Sequence, residues 1–252
     1  MSQAVLVPEG RIFDSMRICI VSPISKIDSR WMQTVVNMVA FSWANGLQIH
    51  EMGQISGQVV HWARDELANQ ALEAVSMDGK PYTHFLWLDS DHMLPKHLAC
   101  QLANNFVNPQ VDMCSAVYYA RNGPPLPICF VKHPNKPEHG KYTHYPLVGI
   151  PEGLCEVDAV GFGAVLMKRK VLEEMPVPRF RFDGCGEDVF FCVNAKAKGF
   201  RIFVDGSLRI GHFRDSEIVT HNEFEAYVKE HEHELGGKVM VHLGGEHHGT
   251  DV

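Results

Sequence analysis

Asp89 and Asp91, separated by Ser90, follow at once on the apolar run Phe85-Leu-Trp-Leu88. Two carboxylates one residue apart at the end of a buried strand can approach one cation, one directly and one through water or a hydroxyl. A hard divalent ion prefers such oxygen donors and accepts imidazole beside them. The plainer alternative makes Asp89 a helix cap and leaves Asp91 in solvent. A second acidic pair, Glu187-Asp188, follows Gly184-Cys-Gly186 and precedes the apolar Val189-Phe-Phe-Cys192. Both carboxylates then fall in the first turn of a helix, where the dipole favours negative charge, and either can serve as a base or anchor a hydroxyl. His212, closing Ile210-Gly-His212, can offer a ring nitrogen to the same ion, or be a surface histidine.

These groups act together only if strands and helices carry them to one place. Arg17 to Ser22 reads as a buried first strand ending at Pro23, and Asp28 to Asn45 as a helix stopped by Asn45-Gly46. Leu47 to Met52 is a second strand, Gly57 to Met77 a second helix and Thr83 to Leu88 a third strand. A helix from Pro95 to Phe106 and a strand from Val111 to Val117 follow. Alternating strands and helices predict a largely parallel sheet covered on both faces, with ligands beyond the carboxyl ends of its strands.

From Tyr118 to Glu156 the chain is rich in Pro, Gly and His and reads as a long excursion. Lys132, His133, Lys136, His139, Lys141 and His144 make it locally basic: a solvated loop, or a patch for a phosphate-bearing substrate. Val157 to Met167 reads as one strand with glycines, Lys168 to Met175 as a short helix, Glu187 to Lys198 as a helix and Phe200 to Val204 as a strand. Asn222 is the expected cap of a helix towards His233, before a mobile tail with Gly244-Gly-Glu-His-His-Gly249.

The 252 residues suffice for one large core, and 45% hydrophobic with 21% charged residues is ordinary for a globular protein. A formal charge of -7 argues against a general nucleic-acid coat, though not against one nucleotide or one strand in a locally positive pocket. Seven scattered Cys without a C-x-x-C pair read as reduced thiols. With no signal-like opening and no spanning apolar run, the expected place is the cytoplasm, the host's if the chain is viral, without membrane insertion.

In this order the motifs resemble metal-dependent glycosyltransferases of the GT-A fold, especially compact bacterial and bacteriophage members. The matching pieces are Ile18-Cys-Ile-Val-Ser22, His61-Trp-Ala-Arg-Asp65, Phe85 to Asp91, Val160-Gly-Phe-Gly-Ala164, Gly186 to Cys192, and Gly199 to Asp205 with Gly211-His212. The resemblance implies an α/β, GT-A-like (Rossmann-like) fold with a mostly parallel central sheet and a small additional antiparallel element. It implies one catalytic domain over 1–252: a nucleotide-binding half at 17–117, an acceptor-binding half at 118–213 and a polar, His-rich extension at 214–252. The donor would be a nucleoside-diphosphate sugar and the cofactor Mn2+ or Mg2+. Asp91 and His212 would hold the metal, with Asp89 beside it at the ribose or donor sugar. Asp188 would be the base, with Glu187 its acidic neighbour at the transferred sugar. Arg64 would lie at the nucleotide pocket, although Asp65 stands where the family carries Asn. Ser22 and Pro23 would abut the nucleobase, Tyr119 and Arg121 would flank the donor, and Gly161 and Gly163 would admit the acceptor side.

The acceptor stays open between a glycan and a modified DNA base, as do stereochemistry and oligomeric state. A nucleotidyltransferase is an alternative, but it usually wants a Gly- and Lys/Arg-rich phosphate loop near the first strand, where only Pro23 and Lys26 stand. A metal hydrolase lacks H-E-x-x-H here, the pairs His231-Glu-His233 and His247-His248 lying in the polar tail. A non-catalytic nucleotide-sugar binding protein would not need the full set of acidic residues.

Overall fold

Alternate residues of β1 (Ile18–Ile24) serve opposite faces of a sheet: Ile18, Ile20 and Ile24 join one apolar cluster, Cys19 and Val21 the other. The computed structural model describes residues 13–24, 26–132 and 144–232. Helix α1 (Ser29–Ala44) starts where the Asp28 carboxylate accepts from Arg30 N at 2.8 Å, and it buries Trp31, Val35, Met38 and Ser42. After β2 (Ile49–Ser56), α2 (Val60–Glu73) buries Ala63, Arg64, Leu67, Ala68 and Ala71. An arginine thus stands in an otherwise apolar stripe, a costly arrangement unless the charge is matched.

β3 (His84–Leu88) is followed by the two-residue β4 (His92–Met93), α3 (Leu98–Asn105) and β5 (Met113–Val117). The excursion contains β6 (Cys129–Lys132), β7 (His144–Pro146), β8 (Leu154–Val157) and β9 (Ala159–Val160). Then come β10 (Ala164–Lys168), α4 (Arg169–Glu174), α5 (Glu187–Ala197), β11 (Ile202–Arg209), β12 (Gly211–Arg214), β13 (Glu217–Val219) and α6 (His221–Glu230).

The seven-stranded sheet has the order β2-β1-β3-β10-β5-β11-β8. β1 pairs in parallel with β2 and β3, and β5 with β11; β10 runs antiparallel between β3 and β5, and β8 antiparallel to β11. The sheet is therefore mixed, which corrects the expectation of a mostly parallel one. The reason lies in the run 157–167, read as a single strand. It is cut after β9 by Gly161-Phe162-Gly163, and the chain re-enters the sheet beside Leu88, opposite in direction to β3. Two three-stranded antiparallel sheets, β13-β12-β4 and β7-β6-β9, stand where one small antiparallel element was expected.

Helices cover both faces. Leu67, Val171, Leu172 and Phe191 pack with Phe85 and Trp87 on one side, and Trp31, Val35, Leu98 and Leu102 with Leu86 and Leu88 on the other. Beneath the carboxyl ends of β1 and β3, Phe180 stacks on Phe191 with centroids 4.8 Å apart, and Phe162 meets both edge-on. Helix α6 is capped by Thr220 rather than Asn222: the Thr220 hydroxyl accepts from Asn222 N, and Glu223 accepts from Thr220 N at 2.9 Å. Of the basic excursion, His133, Lys136, His139 and Lys141 lie outside the described residues, as does the tail from His233. No helix among the described residues is long and apolar enough to cross a membrane.

Candidate functional site

A cleft of about 310 Å³ opens at the carboxyl ends of β1 and β3. Pro23, Ile24, Ile55 and Val60 form an apolar wall, and Asp89, Asp91, Glu187 and Asp188 line it together with Arg64 and Arg121. Past Asp91 and Arg121 it continues into a space of about 240 Å³ bounded by Lys26, Asp28, Phe213 and Asp215.

Strand pairing brings the distant histidine to the acidic turn. Beyond Ser90 the chain forms β4, and His92 lies opposite His212 in the β4–β12 pair. Phe213 N donates to the Asp91 carbonyl at 2.8 Å, fixing the register. As a result His212 Nε2 stands 3.4 Å from Asp91 Oδ2. Its Nδ1 lies 2.8 Å from the Tyr119 carbonyl. A carbonyl can only accept, so Nδ1 carries the proton and Nε2 presents its lone pair to the cleft. A hydrogen bond of this kind orients metal-ligating histidines generally.

His92, which the sequence reading did not single out, completes the cluster. Its ring stacks on His212 with centroids 4.4 Å apart and meets Tyr118 edge-on at 4.5 Å. One ligand atom each from Asp91, His92 and His212 lie within 4.8 Å of one another. His92 Nδ1 is 3.0 Å from Asp91 Oδ1 but misaligned for a hydrogen bond, so both atoms are buried without a hydrogen-bond partner among the described residues. Native proteins rarely leave such atoms orphaned. A divalent cation would satisfy them, and the donor set of one carboxylate and two imidazoles fits one. Arg121 Nη1 takes the other Asp91 oxygen at 2.6 Å. Burial alone would raise the Asp91 pKa, but the two imidazoles beside it, His212 and His92, hold its carboxyl well below the usual range.

The second cluster is built around Arg64, whose side chain is 3% exposed. Nη2 donates to both Asp89 oxygens, at 2.8 and 3.0 Å, and Nη1 to Glu187 Oε1 at 2.9 Å. The guanidinium lies over the Phe162 ring, 5.2 Å from its centroid. Burial would lower its pKa, yet Asp89, Glu187 and Asp188 keep it above the ordinary value and fully charged. Asp89 is thus turned towards Arg64, and the metal-fitting oxygens belong to Asp91.

Asp188 stands beside this network without a partner of opposite sign at bonding distance among the described residues: its Oδ1 accepts from Val189 N at 2.7 Å. Burial raises its pKa to about 6; Arg64 opposes the shift, while Glu187 and Asp89 add to it. A Cβ on Gly186 would lie 2.5 Å from Asp188 Oδ1, so the glycine before the acidic pair makes room for that carboxylate. Asp65 accepts from Arg179 N at 2.7 Å and Phe180 N at 3.4 Å, tying the loop before α5 to α2.

The structure therefore brings Asp89, Asp91, Glu187, Asp188, Arg64, Arg121 and Pro23 to one cleft, with His212 beside Asp91. Two expected side chains do not face it. The fully buried Ser22 hydroxyl donates to the Leu88 carbonyl at 2.6 Å, joining β1 to β3 below the floor. The Tyr119 ring turns to α6, its hydroxyl 2.6 Å from His221 Nδ1 and its ring stacked on Phe224. Only its carbonyl serves the site. Nothing in the sequence marks His92, because its partner His212 is met only through the β4–β12 pairing.

The fold is α/β, a mixed central sheet flanked by helices, and its architecture resembles that of GT-A proteins. The sequence itself matches no family profile and no curated protein. Among solved structures, A197 from STIV aligns over 82% of this chain and 92% of its own, at 22% identity and a TM-score of 0.56. GalNAc-T7, solved with UDP, GalNAc and Mn2+, aligns over 85% of this chain at 12% identity and a TM-score of 0.50. This chain spans about half of the GalNAc-T7 chain, 48% of its length. At these identities the likeness is one of fold.

Proposed function

We propose that the protein transfers a sugar from a nucleoside-diphosphate sugar to an acceptor hydroxyl with the help of a divalent cation, Mn2+ or Mg2+. The observation that carries this reading is the 3.4 Å approach of His212 Nε2 to Asp91 Oδ2 in a cleft that also holds Asp188. Asp91 and His212 would hold the cation, which when bound stabilises negative charge on a departing diphosphate. The apolar wall at Pro23 and Ile55 suits a nucleobase, with Ser22 bracing Pro23 from behind. Asp89, its oxygens fixed by Arg64, keeps lone pairs for a ribose or sugar hydroxyl. Arg121 reaches the phosphate side, and Tyr119 acts through its carbonyl by orienting His212.

In transfer, the acceptor oxygen attacks the anomeric carbon as the bond from that carbon to the diphosphate oxygen breaks. The acceptor proton passes to Asp188, whose pKa of about 6 leaves it ionised yet basic at neutral pH. Glu187, held by Arg64, keeps the neighbouring charge fixed. Attack assisted by one base inverts the anomeric centre; retention in the product would contradict this role for Asp188.

The test is a panel of nucleotide sugars read by mass spectrometry for released nucleoside diphosphate, with and without Mn2+. Acceptors should include glycans and DNA carrying hydroxylated bases. Metal-dependent release in the wild type, abolished in Asp91→Ala with the fold intact, is the expected result. Release of pyrophosphate from a sugar 1-phosphate and a nucleoside triphosphate would instead mark a nucleotidyltransferase.

A further inference from the structure

We infer that His92 is a third protein ligand to the cation, making a two-imidazole, one-carboxylate site that selects a first-row transition ion over Mg2+. This rests on the reading of Asp91 and His212 as metal ligands, and extends it to a residue and a selectivity which that reading does not supply.

The geometry leaves His92 one way to act. The residue is 1% exposed, and neither ring nitrogen has a hydrogen-bond partner among the described residues. The ring is clamped between the stacked His212 and the edge of Tyr118. On its far side it lies against Gly163, where a Cβ would come within 2.7 Å of both Cε1 and Nε2. That contact prevents the ring from backing away, and Nδ1 is the nitrogen directed at Asp91, 3.0 Å from Oδ1. Burying an imidazole with two idle nitrogens is unfavourable unless something else supplies a partner. A histidine kept only for packing would gain by replacement with an apolar ring.

Donor chemistry then sets the choice of ion. Mg2+ demands oxygen ligands in near-ideal octahedral geometry and gives up its water reluctantly. Imidazole nitrogen is a softer donor that suits first-row transition ions, and two of them beside one carboxylate, with positions left open, form a set typical of such metals. The open positions would remain for diphosphate oxygens or water.

The experiment uses the full chain and Mn2+ alone, read by pulsed electron paramagnetic resonance, which counts coordinated imidazole nitrogens independently of turnover. The wild type should show two, and His92→Leu one, with Mn2+ affinity at least about tenfold weaker. His92→Gln, nearer in shape and polarity, serves the same purpose should the leucine variant fail to fold. Mg2+ at equal concentration should leave the melting temperature unchanged where Mn2+ raises it. A single imidazole in the wild type, with affinity unchanged in either His92 variant, overturns the inference and leaves Asp91 and His212 as ligands. Absence of Mn2+ binding to the wild type overturns both.

Discussion

Asp188 and Arg64 show how single side chains are set by what surrounds them. The Asp188 carboxyl binds its proton more tightly in the folded protein, at about 6 against an ordinary 3.8. A raised pKa of this kind favours folding below about 3.8, and that support is lost as the pH climbs through about 6. Asp188→Asn should therefore stabilise the protein at pH 8 by on the order of 1–3 kcal/mol, the gain fading towards pH 4, while transfer is lost. Thermal melts across that pH range check the first half. The wild-type rate should fall below about pH 6, because a protonated carboxyl cannot accept the acceptor's proton. Arg64→Ala leaves Asp89 and Glu187 without their shared cation and should cost about 3–5 kcal/mol, measurable by urea denaturation. Arg121 holds Asp91 Oδ2 at 2.6 Å, where it competes with a metal. Arg121→Ala should tighten Mn2+ binding while weakening that of a nucleoside diphosphate, two opposite shifts that calorimetry separates.

At the level of elements, the site depends on a close approach of backbone to side chain. Gly163 precedes β10 and lies against His92 and Tyr118, with a built Cβ 2.7 Å from the histidine ring. Gly163→Ala should cost about 1–3 kcal/mol through overpacking and push His92 off Asp91, lowering the melting temperature and weakening Mn2+ binding together. The acidic turn after β3 was legible in the sequence because a five-residue apolar strand ends one residue before Asp89. Helix α1 was legible from the cap at Asp28 and the stripe Trp31, Val35 and Met38. The direction of β10 was not, because a buried strand reads as an apolar run whichever way it points. His92 escaped for a related reason: beside a D-x-D pair a single histidine carries no periodic signal, and its partner His212 is met only through the β4–β12 pairing. The likeness of Tyr119 and Arg121 to a Y-x-R element places Tyr119 at the donor, and such a likeness does not carry ring direction: the ring packs on α6.

Across the whole molecule, a mixed sheet with helices on both faces gathers residues from six separate stretches to one edge. The order of motifs along the chain carried that architecture, although the antiparallel insertion of β10 was hidden. Mixed strand direction does not disturb the arrangement, since β1 and β3 remain parallel neighbours and both end at the cleft. Their shared edge explains why the apolar wall at Pro23 adjoins the acidic turn at Asp89 to Asp91. The central claim is that a carboxylate and an imidazole from distant strands hold a cation against a diphosphate. Calorimetric titration of the wild type, Asp91→Ala and His212→Ala with nucleoside diphosphates of each base, with and without Mn2+, tests it most directly. At least one diphosphate should bind the wild type only when Mn2+ is present, and neither variant in either condition. Binding that is equally strong without Mn2+, or undiminished in both variants, would contradict the account.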